Sequence, residues 1–148
     1  MEGEVLRMLK GISPVISPEL LKVLCEMGHG DELVLADANY PGASMAKRLL
    51  RADGLPVTTL LEGIAPLFPF ETYAAPLAMM EVVSGDEFDP SIEAQYMEVI
   101  RRSDPAVASP VRLEKFEFYA RSQSAYALLM TGERRLYANV ILKKGVIR

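Results

Sequence analysis

The apolar positions of this chain fall into short runs that are separated by turn residues and alternate with amphipathic segments. Residues 33–36, 77–83 and 125–130 are apolar almost throughout, which is typical of strands buried on both faces of a sheet. A further strand is expected over residues 138–142, after a turn at residues 131–133. These four segments are the predicted strands.

Helices are predicted between the strands. Ser17, Pro18 and Glu19 form a helix start, with serine as N-cap, proline at the first helical position and an acid in the first turn. Gly28 is a natural stop for this helix. Further helices are predicted over residues 57–67, from about 89 to 102 and over 115–124, with a short one over 44–50.

Strands that alternate with helices predict a single α/β domain in three layers, with a mainly parallel sheet covered by helices on both faces. In such sheets, ligands bind at the carboxyl ends of the strands. Asp37 follows the strand predicted over residues 33–36, whereas His29 lies in the loop that enters it. The two side chains are therefore expected at opposite edges of the sheet, unless the connection folds over.

The composition excludes several classes of partner. The net charge is −4 and the basic clusters, among them those at residues 134–135 and 143–144, are only short pairs, which argues against a nucleic-acid partner. No stretch approaches the roughly 20 apolar residues that span a bilayer, so no membrane partner is expected. Cys25 is the one cysteine and is expected to be a small buried hydrophobe in a cytoplasmic protein. No His/Cys metal site or nucleotide-binding motif is present, so no cofactor is expected.

The one histidine, His29, stands between two glycines at the end of the first predicted helix. Histidine can give or take a proton at physiological pH, and Asp37 at the end of the next strand makes a proton-transfer site plausible. The alternative is a histidine that caps the C-terminus of the helix, where a cation suits the helix dipole. From position alone, both interpretations stay open.

Several ordered segments carry a resemblance to a known family. They include Glu-Met-Gly-His-Gly-Asp at residues 26–31, Arg-Ala-Asp-Gly at 51–54, Thr-Gly-Glu-Arg at 131–134, Tyr-Ala-Asn at 137–139 and Leu-Lys-Lys-Gly-Val at 142–146. In order and spacing they resemble the L-fucose mutarotase family, a sister of the D-ribose pyranases. The match starts near Met8, so residues 1–7 are expected to be an extension and 8–148 the sugar mutarotase domain.

The resemblance implies a cofactor-free isomerase that interconverts the α and β anomers of L-fucose by acid/base-assisted opening and closure of the ring. The alternatives are a D-ribose pyranase-like mutarotase and a non-catalytic monosaccharide-binding protein of the same fold. The resemblance also implies a homo-oligomer, commonly a decamer, with sites shared between subunits. Sharing would allow Tyr137 and Asn139 to come from a partner chain.

The family pattern assigns the catalytic acid to His29 and substrate binding to Asp37, Lys115, Tyr137 and Asn139. Lysine at 115 keeps the charge of the arginine often found there in the fucose branch, but it loses the planar fork. The base stays open. Tyr137 could serve only with a lowered pKa or through a water, because a free phenol near 10 is a poor base, and we favour His29 cycling between acid and base through water.

Overall fold

Six strands form one sheet in the computed structural model, which describes residues 9–148. In chain order they are β1 (Glu32–Ala36), β2 (Leu49–Ala52), β3 (Leu77–Met80), β4 (Val111–Leu113), β5 (Ala127–Thr131) and β6 (Val140–Lys143). Their order across the sheet is β2-β5-β1-β6-β3-β4. Strand β6 runs antiparallel to β1 and β3, and the other pairings are parallel. The expected extension at residues 1–7 lies outside the described residues.

Five α-helices cover this sheet within the same part of the chain. They are α1 (Pro18–Glu26), α2 (Gly42–Met45), α3 (Val57–Ile64), α4 (Ile92–Ser103) and α5 (Lys115–Ser124), and a 3-10 turn at Ala65–Leu67 continues α3. The predicted start of α1 is confirmed, because the Ser17 side chain accepts the Leu20 N–H at 3.1 Å. Glu114 caps α5 in the same way, through the N–H groups of Phe116 and Glu117.

Alternation along the central strands divides the core into two clusters, one on each face of the sheet. Leu33 and Leu35 of β1 point into the larger cluster, under α1, α3 and α4. Val34 and Ala36 point into the smaller one, where Phe118 of α5 packs. These side chains are fully buried, and each Leu or Val contributes about 2 kcal/mol relative to an exposed position. The predicted three-layer, mainly parallel α/β domain is confirmed.

Two strands differ from the prediction. Residues 49–52 belong to β2 rather than to a helix over 44–50, and α2 ends at Met45. Residues 111–113, which had no predicted element, form β4. Both are edge strands that are half-exposed, so neither shows the continuous apolar run of a central strand.

The prediction of a buried Cys25 is wrong: the thiol is exposed. The buried face of α1 is made by Leu20, Val23 and Leu24, with Met27 just beyond the helix. At 100° per residue, position 25 points away from that face. None of the helices in residues 9–148 has the length and apolar character needed to cross a membrane.

The direction of β6 decides where the site can form. Because β6 is antiparallel to β1 and β3, its first residues lie at the edge where β1 and β3 end. The approach to β6 is tied to that edge by two hydrogen bonds: Thr131 Oγ1 donates to the Ala36 carbonyl, and the Ala38 N–H donates to the Glu133 carbonyl, each at 2.7 Å. The chain on either side of Asp37 is thereby held against the segment that leads into β6.

Candidate functional site

A cavity of about 230 Å³ opens at the carboxyl edge of β1 and β3. Its polar lining comes from four separate segments of the chain: Asp37 and Asn39 after β1, Asp86 after β3, Lys115 at the start of α5, and Tyr137 and Asn139 before β6. The cavity is polar at its floor and open to solvent, which suits a small ligand rich in hydrogen-bonding groups. In residues 9–148, no three His, Cys, Asp or Glu side chains are grouped in a way that could hold a metal ion.

Asp37 is buried at the end of β1. Its Oδ1 accepts the Asn39 N–H at 3.0 Å, and its own N–H donates to Asn139 Oδ1 at 2.7 Å. Burial raises the pKa of the Asp37 carboxyl, and hydrogen bonds from the N–H groups of Asn39, Ala138 and Tyr40 and from the Asn139 side chain offset part of that rise. A held, desolvated carboxyl at a cavity floor is typical of functional sites.

Asn139 is the buried partner of Asp37. Because its Oδ1 accepts the Asp37 N–H, the side-chain amide donates through Nδ2. The preceding residue, Ala138, is fully buried, and its carbonyl accepts the Tyr96 hydroxyl of α4 at 2.8 Å. The backbone that carries Asn139 is therefore anchored to the helix layer below the sheet.

Tyr137 has a φ of 58°, and among residues 9–148 it is the one residue other than glycine with a positive φ. Such a backbone costs free energy in a bulky residue, and it is found where a site needs a side chain in a particular place. The phenol donates to Asp86 and accepts the Val83 N–H. The hydrogen bond to Asp86 raises the pKa of Tyr137, so the phenol is protonated at neutral pH.

Lys115 brings a cation to the mouth of the cavity. Its Nζ lies 5.8 Å from the ring centre of Tyr119 and 5.9 Å from that of Phe116. Tyr119 in turn packs edge-to-face against the buried Tyr40, with 5.5 Å between ring centres. This side of the cavity is an aromatic wall that carries one positive charge.

A partly buried ion pair supports the segment that carries these residues. Arg135 Nε donates to Glu133 Oε2 at 2.9 Å, and Arg135 Nη1 reaches Asp89 and Gln95. Glu133 also accepts the Val57 N–H of α3 at 3.4 Å. Burial raises the pKa of Glu133, but the hydrogen bonds from Arg135 outweigh it and leave the pKa below its ordinary value.

His29 lies at the other edge of the sheet. It precedes β1, whereas Asp37 follows it, and five strand residues separate the two edges by about 17 Å. The His29 Nε2 lies 2.9 Å and 3.1 Å from the two carboxylate oxygens of Glu71, and the ring centre lies 5.7 Å from that of Tyr73. The histidine side chain is 45% exposed and that of Glu71 only 6%.

His29 does not cap the C-terminus of the first helix, which was the alternative interpretation of its position. Lys144 Nζ donates to the carbonyls of Leu24 and Met27, at 2.8 Å and 2.6 Å, at the C-terminal end of α1. A cation therefore does complement that helix end, but it comes from the end of β6.

The sequence model of the RbsD / FucU transport protein family matches residues 10–147. The chain belongs to this family. An L-fucose mutarotase of Actinobacillus pleuropneumoniae serotype 5b (strain L20) is 56% identical over 140 residues, which are 94% of this chain and 97% of the relative. The resemblance seen in the sequence motifs is thus confirmed.

Two solved structures place the fold in the same group. The fucose mutarotase of Streptococcus pneumoniae, solved in complex with L-fucose, is 49% identical with a TM-score of 0.89 and covers 95% of this chain and 100% of its own. RbsD of Bacillus subtilis, solved with D-ribose, is 22% identical with a TM-score of 0.68 over 95% of this chain and 100% of its own. The second likeness shows the fold alone.

Four of the five predicted site residues line the cavity within one chain: Asp37, Lys115, Tyr137 and Asn139. The structure does not bring His29 to them. Tyr137 and Asn139 lie beside Asp37 of their own chain, so no partner is needed to deliver these two residues.

Sequence reasoning missed further lining residues, among them Asn39, Met80, Asp86 and Leu136. A signal for Asp86 was present, since it follows the turn after a predicted buried strand. Carboxyl ends of parallel strands share one edge of a sheet, and the same rule that pointed to Asp37 applies to Asp86.

Proposed function

We propose that this protein is an L-fucose mutarotase, an isomerase that interconverts the α and β anomers of free L-fucose without a cofactor. The observation that carries the proposal is the convergence of Asp37, Lys115, Tyr137 and Asn139 on one cavity. The chain that builds this cavity is 56% identical to one L-fucose mutarotase and 49% identical to another that was solved with L-fucose.

The lining suits a monosaccharide, whose hydroxyl groups both donate and accept hydrogen bonds. The Asp37 carboxylate accepts, while the Asn139 amide and the Lys115 ammonium donate. The less polar face of a sugar can pack against the Tyr119 ring. Several such contacts at fixed positions hold the sugar in one orientation, which is a precondition for moving protons at its anomeric centre.

Ring opening needs a proton on the ring oxygen and loss of the proton from the anomeric hydroxyl, and closure reverses both. Aligned acid and base groups typically contribute about 10²–10⁴-fold to such a step. Tyr137 is better suited to donating than to accepting a proton, since its hydrogen bond to Asp86 raises its pKa. We assign the acid to His29 and the holding of a sugar hydroxyl to Asp37.

For His29 to reach the sugar, a second copy of the chain must supply it. What supports this is the separation between His29 and the cavity of its own chain, together with the half-exposed imidazole. A contact of one edge of a subunit with the opposite edge of the next is heterologous, and such contacts form a ring when the rotation between neighbours closes. We therefore propose a ring-forming homo-oligomer with shared sites, a decamer by family resemblance, located in the cytoplasm.

Saturation-transfer NMR on equilibrated L-fucose tests the activity. We expect micromolar protein to accelerate exchange between the anomers, and His29→Ala to abolish the acceleration. D-ribose run in parallel tests the pyranase alternative, which would be favoured by faster exchange of ribose than of fucose. Binding of fucose without any accelerated exchange would falsify the enzyme and leave the sugar-binding alternative.

Mixing two inactive variants tests the shared site. His29→Ala and Asp37→Asn are purified separately, dissociated, combined in equal amounts and allowed to reassemble. If each site combines residues of two copies, random mixing restores about a quarter of the wild-type sites. Mixed assemblies that stay as inactive as their parents contradict a site shared in this way.

A further inference from the structure

Glu71 is a buried carboxylate whose position is fixed from several sides. Its Oε1 accepts the N–H groups of Thr72 and Tyr73 at 2.9 Å and 3.1 Å, and its own N–H donates to the Lys143 carbonyl at 3.1 Å. Phe70, the residue before Glu71, packs tightly against Gly145: a Cβ added at Gly145 would lie 2.6 Å from the Phe70 carbonyl oxygen. The carboxylate is part of the fold rather than a mobile surface group.

The loop that carries His29 rests on the same segment. The Gly30 N–H donates to the Lys144 carbonyl at 2.8 Å, and the Lys144 N–H donates to the Asp31 carbonyl at 2.9 Å. Residues 143–145 therefore anchor both His29 and Glu71, which are 42 residues apart in the sequence. Their contact is set by backbone hydrogen bonds, unlike that of an exposed ion pair between two flexible side chains.

The chemistry of the pair determines which ring nitrogen carries the proton. Burial raises the pKa of Glu71, but the hydrogen bonds from Tyr73, His29 and Thr72 outweigh it and leave the pKa lowered, so the carboxylate is ionised at neutral pH. An ionised carboxylate only accepts, and Nε2 of His29 must therefore donate. Within residues 9–148, Nδ1 has no hydrogen-bond partner and is the nitrogen left for a ligand.

We propose that Glu71 is a positioning residue for His29, holding the proton on Nε2 and presenting Nδ1 to the sugar. This inference rests on the proposed mutarotase function. The acid is the imidazolium form of His29, which carries a proton on both ring nitrogens. Its Nδ1–H gives its proton to the ring oxygen as the bond from the anomeric carbon to that oxygen breaks. A water takes the proton of the anomeric hydroxyl as the aldehyde forms and returns it to Nδ1, which restores the imidazolium. Nε2 keeps its proton throughout.

Imidazole ¹⁵N NMR reads the tautomer directly, because a single histidine gives a single pair of ring nitrogens to assign. In the wild-type protein with the imidazole neutral we expect the Nε2–H tautomer. Glu71→Gln keeps an acceptor for the N–H groups of Thr72 and Tyr73 but offers Nε2 a donor, so we expect a shift toward the Nδ1–H tautomer. Anomer exchange of L-fucose should fall about 10–100-fold, the range found when the carboxylate partners that orient metal-binding histidines are lost.

Two variants control the experiment. Glu71→Asp keeps an acceptor-only group and should retain the Nε2–H tautomer and more of the rate than Glu71→Gln. Glu62→Gln makes the same charge change at an exposed pair with Arg102 and should alter neither the tautomer nor the rate. Circular dichroism on each variant checks that the fold is intact.

The outcomes separate the two proposals. An active wild type whose tautomer and rate are both unaffected by Glu71→Gln overturns the role of Glu71 and leaves the mutarotase function standing. A wild type that does not exchange fucose anomers overturns the function, and the tautomer of Glu71→Gln then still decides whether Glu71 holds the proton on Nε2. A changed tautomer with an unchanged rate also overturns the positioning role.

Discussion

The backbone N–H of Asp37 donates to the side-chain Oδ1 of Asn139 at 2.7 Å, across 102 residues of sequence. The bond joins the end of β1 to the start of β6, two strands that pair directly in the sheet. The floor of the cavity is therefore built on hydrogen-bonded strands rather than on a free loop. Sites held by regular elements keep their geometry better than sites on loops.

Removal of that acceptor should cost both stability and binding. In Asn139→Ala, the buried N–H of Asp37 loses its partner, and we expect a loss of about 1–3 kcal/mol in the free energy of unfolding. Urea denaturation measures it, and fucose titration should show weaker binding. Asn39→Ala is the matched control: its side chain is exposed and its N–H still bonds to Asp37, so stability should stay within about 0.5 kcal/mol.

Asp37→Asn should stabilise the protein while removing its activity. The raised pKa of Asp37 means that the folded state holds this proton more tightly than the unfolded chain, so ionisation costs stability as the pH rises above the ordinary value of 3.8. Asparagine avoids that cost, so we expect a gain in the free energy of unfolding at pH 7 that shrinks toward pH 4. Denaturation at several pH values tests this, with the exposed Asp53→Asn as a control. The quantity to compare is the free energy of unfolding of Asp37→Asn minus that of wild type. The assignment is contradicted if this difference is smaller at pH 7 than at pH 4.

The central strands and the start of α1 could be predicted from the sequence because their signals are local. The N-cap at Ser17 and the apolar run that forms β1 each depend on a few neighbouring residues. The edge strands β2 and β4 could not be predicted in this way. Leu49 and Val111 in these strands are partly exposed, and what makes them strands is pairing with distant residues.

The residues of the site also differ in whether the sequence alone could predict their positions. Asp37 could be placed at the carboxyl edge from strand order alone, whereas Lys115, Tyr137 and Asn139 entered through the family resemblance. That Tyr137 and Asn139 share the edge of Asp37 depends on β6 running antiparallel, which no local pattern shows. The contact between His29 and Glu71 could not be predicted either, because it depends on the backbone hydrogen bonds that both segments make with residues 143–145.

Arg135→Ala should destabilise the protein in a pH-dependent way. It leaves the buried Glu133 without its cation, and we expect a loss of about 2–3 kcal/mol at pH 7, below the value for a fully buried pair because the Arg135 side chain is 29% exposed. The folded-state pKa of Glu133 is lowered, so its contribution is present above about 4.5 and is lost as the pH falls through that pKa. The difference from wild type should therefore shrink in acid. Arg134→Ala removes an exposed arginine next to it and should change stability by less than about 0.5 kcal/mol.

Tyr137→Phe distinguishes a binding role for this phenol from a role as the base. The hydrogen bond to Asp86 raises the pKa of Tyr137, so at neutral pH the phenol is protonated and donates its proton to Asp86. The hydroxyl oxygen can then accept a hydrogen bond from the sugar. Loss of that bond is worth about 1 kcal/mol, and we expect KM to rise roughly fivefold to tenfold with kcat within a few-fold of wild type. Steady-state anomer exchange across a range of pH measures both constants, and the shape of the kcat profile should not change.

The matched control for this substitution is Tyr126→Phe. The Tyr126 hydroxyl also donates to a carboxylate, that of Glu26, and this bond likewise raises the pKa of the phenol, but the pair lies away from the cavity. Both kinetic constants should stay at wild-type values. If Tyr137→Phe instead lowers kcat by two orders of magnitude at unchanged KM, the phenol takes part in proton transfer. The assignment of that step to His29 would then have to be revised.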